Sequence, residues 1–333
     1  MKLVEINEKE FNELAYAEPN ASFYQTSNWV NIYDKQNHSI IYLGYTNDQD
    51  VYSALGAFVI KKGSFLKKKT AICPFGFLIN YYDIQLLKDF TLALNDYFSK
   101  KGVKDLTINP NIKYKTTKGN NDLLITKLKE IGYERINDCS YYLTTLSENE
   151  KVKTLDDVYL NTYIASTDEQ LQKVFKFNSN YQNIYNNMKD YISFVVCELD
   201  DAKSINKNTE IINTDNEYIT MHLDDNKYAT KIEKRKAHIE SKQQVLNLLN
   251  KCVKENGNNP IVAITGLIKY RNKITRLFVD DKQEYRIFNT LNKLDEKINK
   301  VLSNLECESF NSYTPTQNSS KIDLIGEFIY RIK

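Results

Sequence analysis

Glycine is scarce in this chain and poorly spaced for holding phosphate. Ten glycines are spread over 333 residues, and no two stand closer than seven positions apart. A GxG step, which lets backbone N–H groups approach a pyrophosphate at the start of a helix, is therefore impossible. That argues against a P-loop, a dinucleotide fingerprint and an ordinary acetyl-CoA cradle. The five cysteines (Cys73, Cys139, Cys197, Cys252 and Cys307) are scattered, odd in number and never at CxxC spacing. Neither a disulfide framework nor a zinc site is suggested, and a reducing cytoplasm fits. The three histidines, His38, His222 and His238, lie far apart in mostly polar stretches, so surface positions are their default. Nothing recommends one cysteine over another for a Cys–His nucleophile. No run of about 18 apolar residues occurs, so no spanning helix is expected. The opening "MKLVEINEKEF" alternates charged and apolar residues and is not a signal peptide. An excess of one charge is missing too: 45 Lys+Arg stand against 43 Asp+Glu. A polyanionic partner would have to be met by local basic patches.

What is present suffices for a packed core, with 41% hydrophobic residues over a length that allows two domains. "DVYSALGAFVI" (50–60) and "TAICPFGFLI" (70–79) read as strands flanking the basic loop "KKGSFLKKK" (61–69). A helix is expected from Asp83, with Leu86, Leu87, Phe90, Leu94 and Phe98 at helical spacing, and Gly102 stopping it. The strand "KDLTIN" (104–109) and a helix over 122–131 ending at Gly132 follow. The second half repeats the order. "NPIVAITGLIKY" and "KITRLFVDD" form a hairpin turning at Arg271-Asn272, then come a helix over 285–303 and the short strand "CESFNS". Hairpin, helix, strand, twice over, argues for two similar α/β units in place of one doubly wound sheet. Between them, residues 227–256 contain neither proline nor glycine, and Ile232, Ile239, Leu246 and Val253 recur every seven positions. This stretch carries eight Lys/Arg against three Glu and is expected to project as a basic helical arm.

Near the start, "SFYQTSNW" (22–29) packs three aromatics and a glutamine into eight residues. It resembles the aromatic Phe-x-Gln-x-x-x-Trp-like cluster that follows the first helix of the FemABX family, the peptidoglycan-bridge aminoacyltransferases. "CPFGFLINYYDIQLLKDFTLALNDYFSKKGVKDLTINPNI" (73–112) resembles that family's Gly-Pro-hydrophobic-Asp-Tyr stretch, long helix and Ile-Asp-Pro step. "KLKEIGYE" (127–134), "ENGNNPIVAITGLIKYRNKITRLFVDDKQEYRIFN" (255–289) and "KIDLIGEF" (321–328) resemble later family segments, in the right order along the whole chain. The resemblance implies an α/β (α+β) fold of two tandem GNAT-like (acyl-CoA N-acyltransferase-like) domains with an inserted helical, coiled-coil arm. The first domain is expected over 1–150, the second over 151–225 and 257–333, and the arm over 226–256. The glycine spacing fits a GNAT-like fold that has given up CoA, and no cofactor or metal is implied.

The chemistry the family implies moves an amino acid from aminoacyl-tRNA to the stem-peptide amine of a lipid-linked or nucleotide-linked muropeptide. It requires an amine that loses its proton, an ester carbonyl that gains charge and a phosphate-bearing acceptor held in place. A cytoplasmic site, peripheral contact with the inner membrane face and a family homo- or heterodimer go with that reading. Acceptor-binding candidates are Gln25, Trp29, Tyr33, Lys35, Tyr285 and Arg286. The aromatics are expected to pin the first helix on the sheet, with Gln25 and Tyr33 facing the cleft. Lys231, Lys234, Arg235, Lys236 and Lys242 of the arm are candidates for tRNA phosphates. The basic loop 61–69 suits a polyanion or an acidic membrane face, or else a solvated tip that protects a strand edge.

The sequence also departs from the family pattern. Tyr33 stands where a lysine is usual, with Lys35 two positions on, and a phenol brings a donor but no charge. "EKVKTLDDVYLNTYIAST" (150–167) holds only Lys151 and Lys153 where a basic run usually links the domains. "KFNSNYQNIYNNMKDY" (176–191) has no arginine. Asp280-Asp281 replaces small residues after the second hairpin; both read as loop residues, with a general base as the alternative. "SINKNTEIINTDNEYITMHLDD" is polar and not helix-like, so a second arm helix is expected to be short or absent. A closing hydrophobic helix is lacking. Two readings stay open: an aminoacyltransferase with an altered acceptor, or a catalytically reduced member acting as a binding or scaffold protein in cell-wall synthesis.

Overall fold

The computed structural model describes residues 1–19, 21–49, 51–63, 68–116, 119–120, 122–143, 157–303, 309–312 and 323–333. The first half runs β1 (Lys2–Ile6), α1 (Glu8–Ala17), α2 (Ser27–Val30), β2 (His38–Thr46), β3 (Tyr52–Lys61), β4 (Thr70–Cys73), β5 (Leu78–Ile79) and α3 (Ile84–Lys100). It continues with β6 (Asp105–Ile108), β7 (Lys113–Thr116), β8 (Gly119–Asn120), α4 (Asp122–Ile131) and β9 (Tyr133–Leu143). The second half runs β10 (Leu160–Ile164), α5 (Asp168–Phe177), α6 (Asn180–Met188), β11 (Ile192–Leu199), α7 (Asp201–His222) and α8 (Ala229–Asn256). Then come β12 (Ile261–Tyr270), β13 (Lys273–Asp281), α9 (Thr290–Ser303), β14 (Ser309–Ser312) and β15 (Asp323–Arg331).

The expected elements form where local chemistry dictates them. Asp83 caps α3 by accepting the Leu86 N–H at 3.0 Å, and Leu87, Phe90, Leu94 and Phe98 are its buried stripe. Gly102 leaves the helix at φ +70°, as a residue without Cβ can. The strand pairs β3–β4 and β12–β13 are antiparallel, the second turning at Arg271 with φ +55°. In each half the hairpin is followed by a helix and a strand parallel to the second hairpin strand: β4 with β6, and β13 with β14. The sequence repeat is thus a structural one. The helix expected over 285–303 starts later, at Thr290, because Gln283–Phe288 forms a tighter 3-10 turn.

Among the described residues three hydrophobic clusters organise the molecule. One lies between the first unit's sheet and α3/α4, centred on Phe58, Phe77, Phe90 and Phe98. One lies under α8 and α9 in the second unit, with Val262, Leu249, Tyr285 and Ile298. The third draws on both units, joining Phe11, Tyr24 and Val30 to Leu171, Tyr181, Met188 and Phe194. The units therefore share a core. Among the described residues no helix is long and apolar enough to cross a membrane.

Two expected boundaries are corrected. The last strand was expected in the second domain (257–333), yet β15 lies in the first unit's sheet, antiparallel to β6 on one side and β9 on the other. The strand order is β1-β2-β3-β4-β6-β15-β9-β14-β13-β12-β11-β10, so β9 in turn reaches across to β14. The boundary expected at 150 falls outside the described residues. The arm, expected as one helix over 226–256, is a helical hairpin of α7 and α8, so residues 201–222 belong to it as well.

Helix α7 escaped the apolar pattern because its buried face is polar: Asp201, Ser204, Asn208 and Asp215 all point inward. Each finds a partner, which offsets much of the desolvation penalty, although Asn208 Oδ1 accepts no hydrogen bond among the described residues. Ser204 Oγ accepts the Tyr159 N–H at 2.9 Å and donates to the Asp200 carbonyl at 2.6 Å. Asn208 Nδ2 donates to the Asp157 carbonyl at 2.9 Å. Asp215 receives Arg235 and, at 2.7 Å, His238 Nδ1. At the base of the arm Lys242, with 9% of its side chain exposed, pairs with the Asp157 carboxylate. Lys242→Met is expected to lower stability by about 2 kcal/mol, short of the 3–5 typical of fully buried pairs, because water still reaches Asp157. Urea denaturation checks this; the double change Lys242→Met/Asp157→Leu should recover most of the loss, and a silent single variant would show that the pair does not fasten the arm.

Candidate functional site

The aromatic motif near the start is built as a rigid block. Phe23–Gln25 forms a short 3-10 turn, and Thr26 caps α2 by accepting the Trp29 N–H at 3.2 Å while donating to the Phe23 carbonyl at 2.6 Å. Trp29 meets Phe23 and Tyr24 edge-on, with centroids 5.3 and 4.8 Å away. Tyr24 stacks on Phe75 at 4.0 Å. The aromatics act as core, as expected.

Gln25 does not face a cleft, contrary to expectation. It is fully buried, its carbonyl accepting the Ala57 N–H at 3.0 Å and its amide donating to the Pro74 carbonyl. It therefore staples the motif to β3 and to the loop 74–82. That loop carries Phe75 at φ +49°, a conformation strained for a bulky residue. A Cβ on Gly76 would overlap Cys73 Sγ and press on Gln25, so the glycine is there for close approach. Tyr81, buried at the loop's far end, accepts the Phe77 N–H.

Beyond α2 the chain becomes accessible. Tyr33 is half-buried with its ring 5.6 Å from that of His38, and burial raises its pKa, so the phenol stays protonated and able to donate. Lys35 is exposed, and the Lys62 ammonium fastens this loop by donating to the carbonyls of Lys35 (3.3 Å) and Gln36 (2.8 Å). Across from it sits α6, where the sequence showed asparagines in place of arginine. They tie the two units together. Asn28 Nδ2 donates to the Asn187 carbonyl and Asn183 Nδ2 to the Ile32 carbonyl, both at 2.9 Å. Asn28, Asn183 and Asn187 were not singled out from sequence, since no periodicity distinguishes a bridging asparagine from a solvated one.

The remaining candidates do not join this corner. Tyr285 is fully buried, stacked near-parallel to Phe288 and donating to Glu255 at 3.3 Å. It belongs to the core beneath α8 and α9. Arg286 is exposed but already pairs with Asp281, Nη2 to Oδ1 at 2.8 Å. Asp280 accepts from Tyr181 Oη at 2.7 Å and Asn178 Nδ2 at 3.3 Å. Neither aspartate stands free as a base. The buried thiols are no nucleophiles: burial pushes Cys197 up to about 12 and Cys73 higher still.

The arm sorts its cations by helical phase. Arg235 and Lys242 lie on the inward stripe with Ile232, Ile239, Leu246 and Leu249, and both are spent on internal carboxylates. That spacing was legible in the sequence and separates them from true surface lysines. Lys236 pairs with Glu233 at 3.4 Å on the surface. Lys231 lies over the Tyr218 ring at 4.7 Å, and Lys234 makes no ion pair among the described residues. These two, with Lys227, are outward-turned cations without an ion pair among the described residues, while Lys236, Lys251 and Lys254 are exposed as well.

A protein-family model, that of the FemAB family, matches residues 6–176, more than half of the chain. The chain belongs to the FemAB family. That is a cell-wall aminoacyltransferase family, and the match runs from the end of β1 through the aromatic motif, the Gln25-held loop and the first sheet into α5. The structure is similar to that of FemX, with a TM-score of 0.59 at 15% identity over 99% of this chain and 97% of that one. It is similar also to a tandem GNAT protein from the clavulanic acid biosynthesis pathway, with a TM-score of 0.58 at 9% identity over 100% and 98%. At such identities the likeness speaks for the fold, two tandem GNAT-like units. No curated protein sequence matches the chain. Of the departures noted in the sequence, Tyr33 and the lysine-poor stretch 150–167 fall within the matched FemAB segment, and the others lie at or beyond its end.

Proposed function

We propose that this FemAB protein transfers an amino acid from aminoacyl-tRNA to the stem-peptide amine of a lipid- or nucleotide-linked muropeptide. The observation that carries the reading is the FemAB match over residues 6–176, where the matched motif is a rigid block held by Gln25 beside an accessible loop bearing Tyr33 and Lys35. In the reaction the acceptor amine attacks the ester carbonyl and loses its proton. The amide forms, the ester C–O bond breaks, and the ribose hydroxyl of the tRNA leaves carrying a proton. The fold's part is placement of the two substrates. The protonated Tyr33 phenol offers the acceptor one hydrogen bond, and Lys35 the charge. Lys231 and Lys234 on the arm suit RNA phosphates, and Lys61, Lys62 and Lys68 at the β3–β4 turn suit an anionic membrane face near a lipid-linked acceptor. The domains follow the strands: 1–143 with 323–333, then 157–200 with 257–312, and an arm over 201–256.

One observation favours the second reading, a catalytically reduced scaffold: Tyr33 in a lysine's place, across from an α6 whose asparagines are used in bridging. Mass measurement of a muropeptide after incubation with protein and a charged tRNA pool decides between them. A gain of one amino-acid residue supports transfer; an unchanged mass beside an active family member supports the scaffold. In the same system, Lys231→Glu/Lys234→Glu is expected to weaken tRNA binding roughly tenfold and to flatten the log K against log salt slope by about 2. An unaltered slope would remove the arm from the RNA interface.

A further inference from the structure

One recess in the second unit is used by nothing described so far. It lies where α8 runs into the sheet, with a volume of about 530 Å³. The loop 256–260 borders it, with the last turns of α5 and Lys282, just past the end of β13. Three lysines from two separate segments line it: Lys173, Lys176 and Lys282.

Their partners leave positive charge unanswered. Lys173 is anchored 3.3 Å from Glu198, which also accepts from Tyr163 Oη at 2.6 Å. Lys282 donates to Asn256 Oδ1, a neutral acceptor, and lies 5.7 Å from the centre of the Phe177 ring. Lys176 is exposed and makes no ion pair among the described residues. Of the acids nearby, Glu255 lines the recess itself, lies 3.9 Å from Lys251 and accepts from Tyr285, Asp281 is paired with Arg286, and Asp280 keeps its charge while held by the neutral Tyr181 and Asn178; none of the three forms an ion pair with Lys176 or Lys282 among the described residues. A concave site lined by low-dielectric walls focuses such uncompensated charge.

The lining fixes the ligand class. Lysine ammoniums are compact point charges suited to phosphate oxygens. Asn258 and Asn259 add amide groups able to donate and accept, as a sugar requires, while the Asn256 amide is held by Lys282 and the Cys252 carbonyl. Phe177 adds a flat apolar wall, and the volume falls within the range of small-molecule sites, far beyond a lone ion. We infer that this recess binds a nucleoside phosphate, its phosphate held by Lys176 and Lys282. An RNA end in the recess would deepen the transfer reading and in that form rests on it; a free nucleotide there needs neither muropeptide nor aminoacyl ester.

Two sources present that chemistry, a free nucleotide and the terminal nucleotide of an RNA, and equilibrium dialysis separates them. Labelled ADP is used in one arm and the RNA tetranucleotide ACCA in the other, each up to 1 mM against the full-length protein. Saturable binding of at least one probe is expected, weakened tenfold or more by Lys176→Glu and by Lys282→Met. Lys254→Glu, on the same helix end but outside the recess, should change it less than twofold. Lys176 has no ion-pair partner among the described residues to lose, so its variant should keep the wild-type melting temperature. Tighter ADP names a free nucleotide; tighter ACCA names an RNA end. No binding of either probe, or equal weakening by Lys254→Glu and Lys176→Glu, overturns the site while leaving the proposed transfer untouched.

Discussion

Gln25→Leu is expected to destabilise the protein by about 3 kcal/mol, the cost of leaving a buried N–H and a buried carbonyl both unpaired. The side chain is wholly enclosed, and its two ends serve different chain segments, Ala57 in β3 and Pro74 at the head of the loop 74–82. Leucine fills much of the volume but answers neither group. Gln25→Glu should be worse, since it retains the acceptor for Ala57, loses the donor to Pro74 and sets a carboxylate against a carbonyl in a site without water. The consequence reaches past stability. Phe75 holds an unfavourable backbone conformation only because its surroundings over-determine it, and Gln25 is one of those constraints together with the Tyr24 stack. Urea midpoints of the three proteins test the claim. A leucine variant within about 0.5 kcal/mol of wild type, the range of ordinary surface changes, would mean the staple carries no energy.

The glutamine also shows where sequence reading runs out. The motif was visible, and so was its aromatic core, because three rings in eight residues have few other uses. Whether a glutamine looks outward into a cleft or inward to two backbone partners depends on segments 32 and 49 positions away. Tyr285 failed for the same reason: its burial is settled by Glu255 and Phe288. Elements with an apolar period were legible to within a few residues, as with Leu87, Phe90, Leu94 and Phe98 of α3. Helix α7 was not, because it buries Ser204, Asn208 and Asp215 against hydrogen-bonding partners that no period reveals. The arm charges fall between these cases. A basic run looks uniform until helical phase is applied, and then Arg235 and Lys242 fall on the stripe of Ile239 and Leu246.

A fragment of residues 1–150 is expected not to fold, although it contains nearly every element of the first unit. What it lacks is β15, from the far end of the chain. That strand sits between β6 and β9, with Phe328 opposite Ile108 on one side and Arg135 on the other. Without it those strands stand about 10 Å apart, twice the hydrogen-bonding spacing, and their backbone groups face each other unpaired. Phe328 and Tyr330, nearly fully buried beside Leu128 and Tyr133, leave the core as well. Their burial alone is worth about 3–6 kcal/mol, against a net domain stability of about 5–15. Joining residues 321–333 to the fragment through a flexible linker should restore a cooperative melt, and deleting 323–333 from the whole chain should abolish it in both halves. A cooperative transition in the bare fragment would refute this. The reason both halves should fail together is that β9 continues past β15 to pair with β14, Leu143 opposite Asn311 and Tyr142 opposite Ser312. Each sheet is completed by a strand from the other half of the sequence, which fixes the α2–α6 corner that the proposed transfer needs.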